Sequence, residues 1–222
     1  MTVIYGHIAR KGTTMKERPI LFSGPMVQAI LEGKKTQTRR VVQPQPLHKW
    51  GSGVSSLHHA DYFSAHVELP GQREYVWIRC PYGKSGDRLW VRETHTFAET
   101  DGETYVEVHY PDETTRRCEC SMDAAEVASL WIENREEGGD GADNWRPSIH
   151  MPRWASRITL EIASIRIQQL SDISHADGKA EGFDSLDGFA LLWDRINQKR
   201  GYGWHANPWV WAVEFKRLQP RA

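Results

Sequence analysis

The strongest constraint on the fold is the segment SRITLEIASIRIQQL, residues 156–170, in which apolar and polar residues alternate. Ile158, Leu160 and Ile162 fall on one face of an extended chain, as expected for a strand with one buried side. Strands and helices elsewhere follow one another without a regular βαβ alternation. We therefore predict an α+β fold in which a mainly antiparallel sheet curls into a small β-barrel, flanked by short helices and interrupted by long loop insertions.

Further elements are predicted on both sides of this segment. The strand segments are EYVWIRC (74–80), GDRLWVRETHTF (86–97), YVEVHY (105–110) and NPWVWAVEFKRL near the end, with Trp209, Trp211, Val213 and Phe215 on one face. The helix segments are SGPMVQAILEGKK, capped by Ser23 or Gly24 and ended by Gly33; DAAEVASLWIENREEGGDGADNW, with one short helix; SDISHADGKAEGF, ended by Gly182; and LDGFALLWDRINQKRG, with a buried stripe of Leu186, Phe189, Trp193 and Ile196.

The 222 residues are enough for one sizeable domain, and no linker divides them. We interpret residues 1–15 as an N-terminal extension and a candidate for poor order, although VIYGHI within it has the composition of an edge strand. Residues 16–222 are predicted to form a single domain with insertions at about 48–73 and 98–145.

Composition excludes several classes of protein. The formal net charge is −1, so contact with nucleic acid has to be local rather than driven by bulk charge. No apolar run reaches the roughly eighteen residues of a membrane span, and the first fifteen residues lack the apolar core of a signal peptide. Cys80, Cys118 and Cys120 form no disulfide framework. We expect a cytoplasmic protein without a membrane partner.

The best candidate for a reactive site is EGKKTQTRRVV, residues 32–42. Lys35 and Thr38 would face opposite sides of a strand but the same side of a helical or tight turn. On one side they could form a nucleophile–base pair, if burial lowers the lysine pKa enough for it to accept the hydroxyl proton. The alternatives are a solvated basic turn, or a phosphate clamp made by Arg39 and Arg40.

Two further polar motifs have two interpretations each. Arg92 and Glu93 are either a pocket-facing pair that contacts substrate or a salt bridge at a strand end. Asn207 either bonds the edge of a base or opens an Asn-Pro turn.

We predict no metal site and no cofactor. Cys118-x-Cys120 is too tight for a zinc pair, and the adjacent His58 and His59 would face apart in a strand. Tryptophans at regular spacing are interpreted as core residues rather than a cofactor site: Trp193, Trp209 and Trp211.

The segment LFSGPMVQAILEGKKTQTRR resembles the signature of the ASCH domain, a relative of the PUA fold. The family pattern Gly-x-Lys-x-x-Thr-x-Arg is matched by Gly33, Lys35, Thr38 and Arg40. Later segments resemble the longer, phage-associated branch of the family: GDRLWVRETHTF, MPRWASRITLEI, LSDISHADGKAEGF and NPWVWAVEF. The resemblance extends over residues 16–218, except for the two insertions.

This resemblance implies a metal-free amidohydrolase that removes the acyl group from N4-acetylcytidine. Thr38 would attack the amide carbonyl, and neutral Lys35 would accept its proton. Glu181 would orient Lys35 or protonate the leaving amine, with Asp177 as the alternative third residue. Arg40 would stabilise the oxyanion or hold a ribose or phosphate.

The substrate is predicted to be a small nucleoside, with an RNA contact through the local basic patch as an open possibility. The predicted substrate-binding residues are Phe22, Ser23, Arg40, Trp90, Arg92, Glu93, Asn207 and Trp209. Because other members of the family are proposed to bind or cut RNA, the alternatives are a module that binds RNA or modified nucleic acid, and a metal-dependent ribonuclease.

Overall fold

The computed structural model describes residues 15–45, 63–69, 72–98, 105–119 and 145–219. The strands of these ranges are β1 Glu17–Leu21, β2 Gln37–Val41, β3 Phe63–Leu69, β4 Gln72–Ile78, β5 Arg88–Arg92, β6 Thr96–Ala98, β7 Tyr105–His109, β8 Thr115–Glu119, β9 Thr159–Gln169 and β10 Trp209–Leu218. The α-helices are α1 Gly24–Leu31, α2 His175–Ala180 and α3 Leu186–Asn197. The predicted mixture of strands and helices is confirmed.

A five-stranded sheet in the order β1-β5-β9-β10-β2 forms the main body. Its β1–β5 pair is parallel and its other pairs are antiparallel. The long strands β9 and β10 pair along almost their whole length, with one register shift between Glu214 and Phe215. Strands β1 and β2 are the two edges, and no pairing joins them among the described residues. The sheet is therefore open between β1 and β2 in the part of the chain that the structure describes, and the predicted curled barrel is not seen there.

The main core lies on one face of this sheet. Ile158, Leu160 and Ile162 are all at most 1% exposed, which confirms the predicted buried face of β9. Strand β10 contributes its predicted face to the same core, although Val210 and Ala212 on its other face are buried too, and α1 contributes to this core as well. The buried members from these two elements are Val27, Ile30, Trp211, Val213 and Phe215, with Trp209 half-buried beside them.

Two smaller sheets lie outside this body. Strands β3 and β4 form a hairpin, and β6, β7 and β8 form a three-stranded sheet. The predicted single strand GDRLWVRETHTF is therefore wrong, because β5 and β6 belong to different sheets. The chain leaves the first sheet at Glu93, whose carboxylate is bound by Arg157, and reaches the second after His95 bridges to Arg146.

The helix ends follow the predicted cap positions. Ser23 precedes α1, and Gly33 and Gly182 have the positive φ angles, +74° and +91°, that let a glycine end a helix. The predicted stripe of α3 is wrong at Ile196, which is 45% exposed. Asn197 takes its place at 6% exposed, where its amide Nδ2 donates to the Trp193 carbonyl.

Several predictions fall outside the described residues. These are the N-terminal extension up to residue 14 with its edge strand, most of the first insertion with His58 and His59, and the short helix predicted after β8 together with Cys120. Among the helices that the structure describes, none has the length and apolar character needed to cross a membrane.

Candidate functional site

Lys35 lies in the short connection between α1 and β2. Its side chain is completely buried, and its ammonium Nζ donates to the Glu181 carboxylate Oε2 at 2.6 Å and to the Glu181 carbonyl at 2.9 Å. The backbone fixes this connection on both sides, because Thr36 donates to the Ala180 carbonyl and accepts from the Phe215 amide. The lysine is therefore held by the end of α2 and by β10.

Glu181 follows α2 directly and is 3% exposed. While Oε2 accepts from Lys35, the other oxygen, Oε1, accepts from Arg39 Nη1 at 3.1 Å. The next residue, Gly182, permits this approach: a Cβ placed there would lie 3.4 Å from the Lys35 Cβ and 3.3 Å from the Ala29 Cβ. One buried carboxylate thus joins two cationic side chains.

Thr38 lies within β2, opposite Val213 of β10, and is 3% exposed. The prediction that one turn carries both Lys35 and Thr38 is therefore wrong, because pairing with β10 makes residues 37–41 a strand. Lys35 precedes that strand and shares the Glu181 carboxylate with Arg39, whose side chain lies on the face of β2 opposite Thr38. Across the described ranges, the Thr38 hydroxyl makes no hydrogen bond, including none to Lys35.

Arg40 and Phe22 border the lysine. Arg40 shares a face of β2 with Thr38, since side chains two apart in a strand point the same way. The Arg40 Cζ lies 5.2 Å and the Lys35 Nζ 5.9 Å from the centroid of the Phe22 ring. Arg40 Nη2 donates to the Leu21 carbonyl at 2.6 Å. Ser23 is exposed at the start of α1, and its side chain makes no capping bond.

Burial lowers the pKa of Lys35, although Glu181 opposes this by attraction and by its hydrogen bond, and Arg40 and Arg39 add to the lowering by repulsion. Burial also lowers the pKa of Arg40, against the attraction of Tyr82 and Glu181. The surroundings of Lys35 therefore disfavour its protonated form, and a lysine has to be unprotonated to act as a base.

Asp177, the alternative third residue, lies one turn before Glu181. It caps α2 through Ser174, accepts from Gln37 Nε2 at 3.1 Å, and pairs with Arg39 Nη2 at 3.4 Å and with Arg166. Burial acts to raise the pKa of Asp177, but these hydrogen bonds and charges lower it overall. Of the two candidates, Glu181 is the one that contacts Lys35.

Arg92 and Glu93 do not pair with each other. The Arg92 Cζ lies 4.8 Å from the centroid of the Trp90 ring, and its Nη1 donates to the Ile149 carbonyl. Glu93 is 3% exposed and is bound by Arg157 through two bonds of 2.8 and 3.0 Å. Burial raises the pKa of Glu93 in spite of Arg157. Glu93 therefore has a salt-bridge partner, and none of these three predicted residues bonds to Lys35 or Glu181.

Asn207 and Trp209 have contacts that serve the fold. Asn207 is in the left-handed region with φ +46°, and its Oδ1 accepts from the Ser171 amide at 2.8 Å, so the turn interpretation is confirmed. The Trp209 amide donates to Gln45 Oε1 at 2.8 Å, and the side chain packs against the main core.

Arg39 belongs to the site, although the sequence pattern predicts it only as part of the alternative phosphate clamp. It is 4% exposed and bonds to Glu181. The available signal was strand alternation, since Gln37 and Arg39 point away from Thr38 once residues 37–41 are recognised as a strand. Lys34, in contrast, lies at the surface, paired with Glu32.

The described ranges contain no group of three or more His, Cys, Asp or Glu side chains arranged to hold a metal ion. Cys118 is buried, with its thiol near the Trp154 carbonyl at 3.6 Å.

The chain was compared with protein-family models, with curated proteins and with solved structures, and none of the three comparisons gave a match.

Proposed function

We propose that this protein is a cytoplasmic, metal-independent amidohydrolase of the ASCH type, with a PUA-like fold, which removes the acyl group from N4-acylated cytosine nucleosides. The observation that carries the proposal is the buried Lys35 bonded to Glu181, just before the strand that carries Thr38 and Arg40. A lysine-activated threonine nucleophile requires a buried lysine with a depressed pKa and a hydroxyl that no other group occupies; Lys35 has the first property, and the Thr38 hydroxyl has no hydrogen-bond partner in the described ranges.

The proposed reaction has two stages. The Thr38 Oγ1 bonds to the acyl carbon while neutral Lys35 accepts its proton, and the C–N4 bond then breaks as N4 receives a proton from Lys35. The cytosine nucleoside leaves, and water hydrolyses the acyl-threonine ester to release the carboxylic acid. Two of the three ammonium donor positions of Lys35 are taken by Glu181, which leaves one direction for this exchange.

Arg40 is the candidate for stabilising the oxyanion. Its guanidinium group lies over Phe22 on the Thr38 face of β2, and its Nε is buried and makes no hydrogen bond to any part of the chain that the structure describes. A buried donor that is available to developing negative charge favours the transition state over the ground state.

The test is hydrolysis of N4-acetylcytidine and of N4-acyl homologues by purified protein, followed by the ultraviolet change of the cytosine ring. We expect Lys35→Arg, which stays charged, and Thr38→Val, which keeps the shape but loses the hydroxyl, to lower kcat by about 10²–10⁴-fold. Thr38→Ser retains a hydroxyl and is the matched control. A wild type that is inert on every acyl group, or a Thr38→Val protein as active as the wild type, would overturn the proposal.

A nucleic-acid-binding module has weaker support, because Lys35 and Arg39 are buried against Glu181 and are not presented to phosphates. That alternative predicts salt-sensitive binding of oligonucleotides and no turnover of free nucleosides. A metal-dependent ribonuclease would lose its activity in chelator, whereas the proposed amidohydrolase would keep it.

A further inference from the structure

The Glu181 carboxylate is divided between two cations. Its Oε2 faces Lys35 at 2.6 Å and its Oε1 faces Arg39 at 3.1 Å, and the side chains of Lys35 and Arg39 are both 0% exposed. Without Arg39, the carboxylate would be free to rotate and to direct its whole charge at Lys35. A carboxylate that directs its whole charge at Lys35 would favour the protonated lysine, and a protonated lysine cannot act as a base.

We propose that Arg39 is a positioning residue that holds Glu181 in place and so keeps Lys35 able to act as a base. The inference rests on the proposed function and adds a residue outside the Gly-x-Lys-x-x-Thr-x-Arg pattern.

Arg39 is itself held in place by neighbouring polar groups. Its Nη1 also donates to Gln37 Oε1, and Gln37 Nε2 reaches Asp177 and Glu214. Arg166 of β9 pairs with the same two carboxylates. Arg39 is therefore held directly by Gln37 of β2 and by Asp177 of α2, which are bonded in turn to Glu214 and Arg166, so its position does not depend on Glu181 alone.

The charged groups that act on Lys35 come from two sides. Glu181, at the end of α2, is the facing anion, while β2 contributes the cations Arg39 and Arg40. Beyond them, Asp177 pairs with Arg39, and Arg166 pairs with both Asp177 and Glu214. Removal of Arg39 both deletes a repelling charge and releases the anion, and both changes favour protonated Lys35.

The experiment compares wild type, Arg39→Gln and Arg39→Lys by two independent measurements. The first is the pH dependence of kcat and KM for N4-acetylcytidine. The second is a nuclear magnetic resonance titration of the Lys35 ε-methylene, assigned with a Lys35→Met protein, which needs no turnover. We expect the acid limb of kcat and the Lys35 midpoint to move up together by about one pH unit in Arg39→Gln, with about a tenfold loss of kcat below the midpoint and recovery at high pH. KM should stay constant, because the Arg39 side chain is fully buried against Glu181 and has no surface to offer a substrate.

Arg18→Gln is the matched control, because it also removes an arginine from a buried carboxylate, that of Asp87. It should lose stability without moving the acid limb. If Arg39→Gln fails to fold, Arg39→Lys decides the question: a Lys35 midpoint above that of the wild type supports the inference.

An unchanged Lys35 midpoint, or a loss of kcat by the same factor at every pH, overturns the role of Arg39. Inertness of the wild type overturns the proposed function instead, and the Lys35 titration distinguishes the two failures.

Discussion

Lys34 and Lys35 are adjacent in the chain, and each makes an ion pair of similar length. The Lys34 Nζ lies 2.7 Å from Glu32 with 70% of its side chain exposed, while the Lys35 Nζ lies 2.6 Å from Glu181 with none exposed. Water and ions screen the first pair, but the second has no solvent to replace a lost partner. The N–O distance alone therefore does not determine how much each ion pair contributes to the stability of the fold.

Removal of the shared carboxylate tests this difference. We expect Glu181→Ala to lower the free energy of unfolding by about 3–5 kcal/mol at neutral pH, because Lys35 and Arg39 would stay buried without an anion. Urea unfolding followed by tryptophan fluorescence measures the loss. Glu32→Ala removes the anion from the exposed pair and should leave the unfolding midpoint unchanged. Equal midpoints for the two variants would show that the buried pair contributes nothing.

At the scale of the elements, the sequence predicts what periodicity can reveal. The buried faces of β9 and β10 and the glycine ends of α1 and α2 depend on local patterns, and they are confirmed. The break between β5 and β6 falls at Glu93, which is bound by Arg157. Because Arg157 lies 64 residues away in the chain, the local alternation of residues does not reveal the break.

The same division applies to the candidate site. The contact between Lys35 and Glu181 was expected from the family resemblance and is present, although it joins residues 146 apart in the chain. The alternation that separates Arg39 from Thr38 applies once residues 37–41 form a strand, and that strand pairs with β10, which lies more than 160 residues further along the chain. The exposed Ile196 shows the limit of helical spacing, since its neighbour Asn197, a polar residue, is the one that α3 buries in its last turn.

The junction between α2 and Lys35 gives a second prediction. Gly182 and Gly201 both have positive φ angles, +91° and +82°, but a Cβ at Gly201 would meet nothing within 4 Å. Gly182→Ala should therefore cost more stability than Gly201→Ala, whose strain alone costs about 1 kcal/mol. It should also lower kcat by displacing Lys35.

Thermal unfolding and turnover of both variants measure these effects. Equal losses of stability, with kcat intact in Gly182→Ala, would mean that the close packing at Lys35 is unimportant.

At the scale of the whole molecule, one group of side chains joins the five-stranded sheet to the three-stranded sheet. Arg157 binds Glu93 after β5 and Asp112 in the β7–β8 turn, and its guanidinium lies 3.9 Å from the centroid of the Tyr110 ring. His95 lies between the two sheets, fully buried, with its Nδ1 3.2 Å from the Glu93 carbonyl. Because this junction contains a buried histidine, its stability should depend on pH.

Burial lowers the pKa of His95 from 6.5 to about 4, with Arg146 and His150 adding repulsion against the hydrogen bond to the Glu93 carbonyl. Above pH 6.5 the ring is neutral in both the folded and the unfolded chain. As the pH falls from 6.5 to 4, the unfolded chain binds the proton first, so the free energy of unfolding should drop by up to about 3 kcal/mol from this residue. Urea titrations at several pH values measure the slope.

His95→Gln removes the titrating group and should flatten this part of the pH profile. His205→Gln, a change at an exposed histidine, should leave it as in wild type. A His95→Gln profile that falls as steeply as that of the wild type would contradict the assignment.

The strand order β1-β5-β9-β10-β2 places β2 beyond β10, so that residues 37–41 pair with residues 210–214. On the ribosome, the segment that carries Lys35 emerges long before its only described strand partner is translated. Until β10 leaves the exit tunnel, Lys35 remains in water with the pKa of an ordinary lysine. Nascent chains that stall before that point would thus carry every residue of the proposed catalytic set while remaining unable to use it, and activity would begin only with the last strand.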